Sequence, residues 1–175
     1  IGCWDTVSSV IVPRPDRWYL PSLEKLPYTL SNPCVKTFRH AMAIDERRRM
    51  FRLLEWKKEQ RFKPNPFADE TYSLDQDIKQ VWFAGVHSDI GGGYPESESG
   101  AAKIPLKWMI EEAEANELRF RERMKKKIVD GNNIDGESIQ YTSPDPNADL
   151  HDSMNWAWKI LEWLPKSAGL KEWKS

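Results

Sequence analysis

At 175 residues the chain is long enough for one ordinary domain with a sizeable core. Its 39% hydrophobic and 30% charged residues describe a globular but polar protein, and twelve prolines announce long irregular connections. A formal net charge of −1 supplies no general attraction to nucleic acid or to an acidic membrane surface, and no run approaches the ~18 apolar residues of a membrane span.

Two cysteines, Cys3 and Cys34, make no disulfide framework, so a reducing, cytoplasmic compartment is the simpler expectation. Charge is uneven. Positions 37–61 carry eight Lys or Arg against four Asp or Glu, and positions 130–152 carry six acids and no Lys or Arg, which reads as solvated helix faces and loops.

The opening Ile1-Gly2-Cys3-Trp4-Asp5-Thr6-Val7 reads as the end of a buried strand, with Asp5 at or just beyond its carboxyl end. No turn or cap precedes it, which is what a piece of a larger domain would show. Pro13, Pro15, Pro21, Pro27 and Pro33 predict loop over 13–33, with one short helical turn around Leu23 to Leu26. Phe38, Ala41, Met42 and Ile44 to Asp45 have a helix-like spacing, so a short helix is predicted from Thr37, its N-cap, to about Arg48. Met50 to Trp56 fits helix or strand equally, and Pro64 and Pro66 end any regular element.

After an acidic connection, the apolar run Val81 to Val86 predicts a core strand that delivers His87 onto a turn made by Gly91, Gly92 and Gly93. Tyr94 to Gly100 reads as exposed loop. Leu106, Met109, Ile110 and Ala113 recur at helical spacing and predict a helix over Pro105 to Leu118, covering one face of the sheet. Lys125-Lys126-Lys127 and Gly131 to Asp149 lack apolar periodicity and read as loop or insertion. Met154, Ala157, Trp158, Leu161 and Leu164 predict a last helix from about Asp152 to Leu164, stopped by Pro165.

Strands joined by helices and long loops point to an α/β architecture, whose functional groups collect beyond the carboxyl ends of the strands. Asp5 and His87 both fit that location. A carboxylate that holds an imidazole in one tautomer and orientation lets it take a proton from a nucleophile, and the order Ser…Asp…His is that of α/β-hydrolases. No Gly-X-Ser-X-Gly occurs; Glu96-Ser97-Glu98-Ser99-Gly100 lacks the first glycine and the strand-to-helix setting, so a nucleophile elbow would have to precede Ile1.

Each candidate has a plainer reading. His87 could satisfy a backbone group at a strand end, and Asp5 could cap a turn. Asp89 could orient His87 in place of Asp5, although a local turn explains it more simply. His87-Ser88-Asp89 with His151-Asp152 lacks the spacing of a metal site, and Gly91 to Gly93 lack the Lys-Ser/Thr of a phosphate loop. Arg47, Arg48 and Arg49 could meet an anionic head group, but pairing with Asp45 and Glu46 or solvation is the default. His40 reads as packing or surface, Asp152 or Ser153 as a helix cap beside His151, and Trp156, Trp158 and Trp163 as core, partner-facing surface or the wall of an apolar channel.

Gly2 to Val7, Arg39 to Arg48 and Gln80 to Tyr94 resemble successive blocks of an α/β-hydrolase domain family that includes type VI secretion phospholipase effectors. The resemblance extends to Leu106-Lys107-Trp108-Met109, His151-Asp152-Ser153-Met154 and Leu161-Glu162-Trp163-Leu164-Pro165. It implies that residues 1–175 form the C-terminal portion of an α/β-hydrolase-like sheet with flanking helices and long loops, the nucleophilic serine lying upstream. Asp5 would then be the triad acid and His87 the triad base, acting on a carboxylic ester such as a lipid acyl ester, with no metal or cofactor, no nucleic acid and no transmembrane segment, but with peripheral membrane contact. Without the serine the chain alone would be inactive; the alternative is a non-catalytic interaction module.

Overall fold

The computed structural model describes residues 1–7, 9–13, 21–25, 30–48, 51, 53–65, 67, 69–133, 136 and 138–163. At its centre three parallel strands lie in the order β1 (Gly2–Trp4), β4 (Thr37–Ala43) and β7 (Asp77–Phe83), with Trp4 opposite Ala41 and Ala43 opposite Phe83. Two antiparallel pairs stand apart from it: β2 (Ser9–Pro13) with β3 (Pro21–Lys25), and β5 (Arg61–Phe62) with β6 (Leu74–Asp75). Four α-helices, α1 (His87–Gly91), α2 (Gly100–Ala115), α3 (Glu122–Ile128) and α4 (Trp156–Trp163), and the 3-10 turns Glu70–Tyr72 and Glu96–Glu98 complete the described elements. This is a mixed α/β fold, as the sequence predicts.

The central strand β4 corrects the helix predicted from Thr37. Its residues Phe38 to Ala43 are buried without interruption, which a strand achieves when both faces of its sheet are covered. On one face Ala41 and Ala43 pack with Ile90 of α1 and Met109 of α2, and Trp4, Phe83 and Trp108 close the edges of that cluster. On the other, Phe38 lies against Val35 and Trp56, the Phe38 and Trp56 rings stacked with centroids 4.2 Å apart. Apolar residues on both faces mimic helical spacing, and the parallel neighbours decide between the two.

Other boundaries move for local reasons. Positions 21–25 are strand rather than loop or helical turn, because the β-branched run Val10-Ile11-Val12 gives them a partner, with Pro13 and Pro21 paired at the end of the ladder where proline is tolerated. Leu26 lies outside the described residues, as do Met50 and Arg52, while Phe51 belongs to a single 3-10 turn and Leu53 forms an isolated bridge with Val7. The strand predicted over Val81 to Val86 lies four residues earlier at its start and ends at Phe83. His87 therefore opens a helix. Tyr94 to Gly100 contains a 3-10 turn, Glu96–Glu98, rather than only loop.

Helix α2 begins five residues before the predicted start. Gly100, Ala101 and Ala102 are buried there, Pro105 is interior to the helix, and Lys103 is satisfied by the Ile128 carbonyl at 2.8 Å and Glu96 at 2.6 Å. The basic run at Lys125 is helical, not loop, because α3 is tied to α2 by Lys125–Glu114 at 2.7 Å and followed by the buried Val129. Helix α4 starts at Trp156, four residues later than predicted; Asn155 Oδ1 accepts from the Trp158 amide at 3.0 Å and caps it. Leu164 lies outside the described residues.

Arg39, on β4, is nearly buried. Its Nε donates to Glu112 at 2.6 Å and its Nη2 to Asp77 at 2.5 Å, tying α2 to the sheet. Burial disfavours its charge, but the two carboxylates outweigh that and raise its pKa above the usual value.

Candidate active site

Because β1, β4 and β7 are parallel, the chain leaves all three at one edge of the sheet, and the residues that follow meet there. Asp5 follows β1 directly in a left-handed conformation, φ 40°, which the hydrogen bonds at the strand end hold: its own N–H donates to the Ala41 carbonyl at 2.6 Å. Its carboxylate, 1% exposed, accepts the Ala43 amide on Oδ1 at 2.8 Å. The other oxygen, Oδ2, lies 2.8 Å from Nδ1 of His87. The sequence-predicted pair is thus brought together, and no described residue hydrogen-bonds His87 Nε2. A carboxylate at that distance fixes the proton on Nδ1 and leaves Nε2 as the basic nitrogen.

The turn that delivers His87 is built by its neighbours. Gly85 has φ +122°, and a Cβ there would stand 2.6 Å from Asp89 Cβ. Asp89, buried, accepts the Val86 amide on Oδ2 at 3.0 Å, closing the start of α1, and so takes the local-turn role with Val86 rather than orienting His87. Of the three glycines after Ile90, Gly92 is the left-handed one, φ +77°, and ends α1; Gly91 is the last helical residue.

Glu46, Arg48 and Phe51 stand beside His87, a position the sequence did not assign to them. Glu46, three residues past β4, accepts the His87 amide on Oε2 at 3.3 Å. It also holds Arg48 in a fork, Nε to Oε1 at 2.9 Å and Nη2 to Oε2 at 2.7 Å, which is the pairing expected for that arginine. Burial alone would raise the Glu46 pKa, but the Arg48 side chain and the Arg48 and His87 amides bring it down to about 2. Arg48 in turn lies over the Phe51 ring at 3.7 Å, and Phe51 makes edge-to-face contacts with His87 and Trp158, with centroids 5.0 and 5.5 Å away. The signal was present in Asp45-Glu46-Arg47-Arg48, but nothing in the sequence says which acid turns inward.

The other histidines differ in setting. His40 sits on β4, 1% exposed, and its Nε2 accepts the Thr6 amide at 3.1 Å; burial lowers its pKa, so it is a neutral packing residue. His151 lies against Asp89 and Glu98. Among the described residues no group of three or more His, Cys, Asp or Glu is arranged to hold a metal ion, and no helix is long and apolar enough to cross a membrane. Cys3 and Cys34 are free thiols.

No curated protein and no solved structure matches the chain in sequence or fold. Residues 1–112, which hold β1, β4, β7, Asp5, Glu46, His87 and most of α2, match the family described as T6SS, Phospholipase effector Tle1-like, catalytic domain. The match covers well over half of the chain and includes the whole central sheet with the edge where the acid and histidine meet, so the chain belongs to the Tle1-like family of type VI secretion phospholipase effector catalytic domains.

Proposed function

We propose that these 175 residues are the C-terminal part of an α/β-hydrolase-like domain that cleaves a carboxylic ester of a phospholipid, with His87 as general base and Asp5 as its orienting acid. The observation that carries this reading is the 2.8 Å contact between Asp5 Oδ2 and His87 Nδ1 at the carboxyl edge of a parallel sheet, with Nε2 unengaged by any described group. The nucleophile is a serine outside this chain. His87 Nε2 takes its proton as the oxygen attacks the acyl carbon, the imidazolium is stabilised by the buried Asp5, and the same proton then passes to the departing alcohol, leaving an acyl-enzyme that water clears by the reverse sequence.

Contact with the lipid surface is peripheral in this reading. Trp156 and Ile160 are 76% and 57% exposed and stand one turn apart on α4, the helix whose Trp158 ring meets Phe51 next to His87. Trp156 and Ile160 lie on the side of α4 away from Trp158, and exposed apolar residues on the helix that abuts the site suit contact with a bilayer that holds the substrate.

A second reading, a non-catalytic interaction module, draws on the absence of any described hydroxyl bonded to His87 Nε2. One experiment separates them. A fluorophosphonate probe labels a longer product that carries the serine, and His87→Ala in that product loses both labelling and ester hydrolysis while keeping its fold. Full hydrolysis by the His87→Ala protein would remove His87 from the mechanism, and absence of labelling in the longer product would favour the interaction module.

A further inference from the structure

The segment His151-Asp152-Ser153 grips the turn that carries His87 from two sides. On one side His151 Nδ1 lies 2.6 Å from Asp89 Oδ1 and the His151 amide donates to Asp89 Oδ2 at 3.2 Å, the oxygen that also receives the Val86 amide. On the other side Ser153 Oγ donates at 3.2 Å to Glu46, the carboxylate that receives the His87 amide. The His151 ring is held further by Glu98 Oε2, 3.0 Å from Nε2, and by Tyr94, stacked on it at 3.5 Å and 14°. Residues more than sixty positions apart in sequence thus share one buried acceptor, Asp89, at the start of α1.

We propose that His151 is a positioning residue for His87: its doubly protonated ring, clamped between Asp89 and Glu98, fixes Asp89 on the Val86 amide and so holds the turn from which His87 reaches Asp5. The proposal rests on the reading of His87 as the base. Geometry requires the charge. Both ring nitrogens face carboxylate oxygens, a neutral imidazole has one N–H to give, and the other contact would then set lone pair against lone pair. Its surroundings agree: Asp89 faces it from α1, Glu98 from the 3-10 turn and Tyr94 from the loop between them, while Asp152 of its own segment accepts the Met154 amide and Arg48 is paired with Glu46. Burial opposes the charge, but Asp89 and Glu98 raise the His151 pKa above the ordinary histidine value. The clamp is therefore complete below the ordinary value and is lost as pH rises through the raised one.

Three histidines in the whole chain make the test direct. Imidazole nitrogen–proton NMR of the 175-residue chain resolves His40 as an internal reporter of the intact sheet, with His87 and His151 as the coupled pair. The expected result is a doubly protonated His151 near neutral pH and, in His151→Gln, a displaced His87 resonance with about tenfold faster exchange of its Nδ1 proton, His40 unchanged. His151→Arg, which keeps charge and donors but does not titrate, restores His87 and abolishes the pH step. If His151→Gln loses the His40 signal, Glu98→Gln serves instead: it removes one exposed carboxylate and lowers the His151 midpoint, and His87 must move in step. A His87 ring unmoved by either variant, with His40 intact, overturns the proposal whatever the activity of His87→Ala; an active His87→Ala protein overturns the catalytic reading while leaving the coupling of the two rings standing.

Discussion

Asp5 and His87 are 82 residues apart in sequence and 2.8 Å apart in space, and Asp5 reaches His87 with the one carboxylate oxygen that the Ala43 amide leaves unused. That division of labour makes Asp5→Asn informative. The Ala43 N–H demands an acceptor, so the amide oxygen of asparagine stays on that side and its NH2 turns toward His87. An NH2 facing Nδ1 forces the ring's proton onto Nε2, where the base is needed. Asparagine also tolerates the φ of 40° at this position. In the longer, serine-bearing protein, Asp5→Asn is expected to lower the ester hydrolysis rate by roughly 10³- to 10⁴-fold with little change in thermal unfolding. A loss under tenfold would show that the carboxylate does not set the tautomer.

Gly85 and Gly91 flank the same turn and should answer oppositely to a methyl group. At Gly85 the φ of +122° is strained for any L side chain, and the added Cβ would meet Asp89 Cβ at 2.6 Å. Gly85→Ala is expected to cost at least about 2 kcal/mol in chemical denaturation, from strain and overpacking together. Nothing lies within 4 Å of a Cβ built at Gly91, which is helical. Gly91→Ala should be neutral or stabilise by about 0.5–1 kcal/mol through the unfolded state. Equal losses at both sites would contradict the close approach of Asp89 to the Gly85 backbone.

The contrast between those glycines shows where the sequence was legible. Three glycines in a row announce a turn, yet the first of them is replaceable, and a further glycine that the turn requires, Gly85, stands before His87, outside the run. Asp5 and His87 were legible because each follows an apolar run, and strand ends in a parallel sheet converge whatever the connections between them do. The strand at Thr37 was not, since burial on both faces erases the alternation that marks a half-exposed strand, and Phe38, Ala41 and Met42 then fit a helix as well. Glu46 was named only as a partner for the arginines beside it, Asp89 as a local turn in preference to an orienting acid, and His151 only beside a helix cap or in a metal set without the right spacing. Their bonds cross 41 and 62 positions, and a carboxylate that turns inward is chosen by its tertiary partners rather than by its neighbours in the chain.

Glu46 predicts an acid-sensitive limb of stability. Its side chain is 5% exposed, and its pKa falls from an ordinary 4.5 to about 2 in the folded chain. A depressed folded pKa means that the stabilisation is fully present above about pH 4.5 and is lost as pH falls toward 2. The difference corresponds to about 3 kcal/mol as an order of magnitude. Urea unfolding between pH 7 and pH 2.5 should show Glu46→Gln less stable than the parent at pH 7, with the gap closing at the acid end. A gap that stays constant across this range would mean that Glu46 is not the titrating group.

The apolar face of α4 can be tested apart from the chemistry. Trp156 and Ile160 are exposed and one helical turn apart, so a bilayer interface would receive both at once, and the difference in emission between the parent chain and Trp156→Phe isolates the Trp156 signal among nine tryptophans. With phospholipid vesicles the 175-residue chain is expected to give a blue-shifted emission. Ile160→Glu places a charge in the apolar contact and should weaken partitioning by at least about tenfold, the equivalent of about 1.4 kcal/mol, which is below the full value of burying one isoleucine. Ile160 has no described role in the core, so the unfolding midpoint should hold. If Ile160→Glu partitions as well as the parent chain, the lipid approaches His87 from another side, and the exposed Ile44 beyond β4 becomes the next residue to charge.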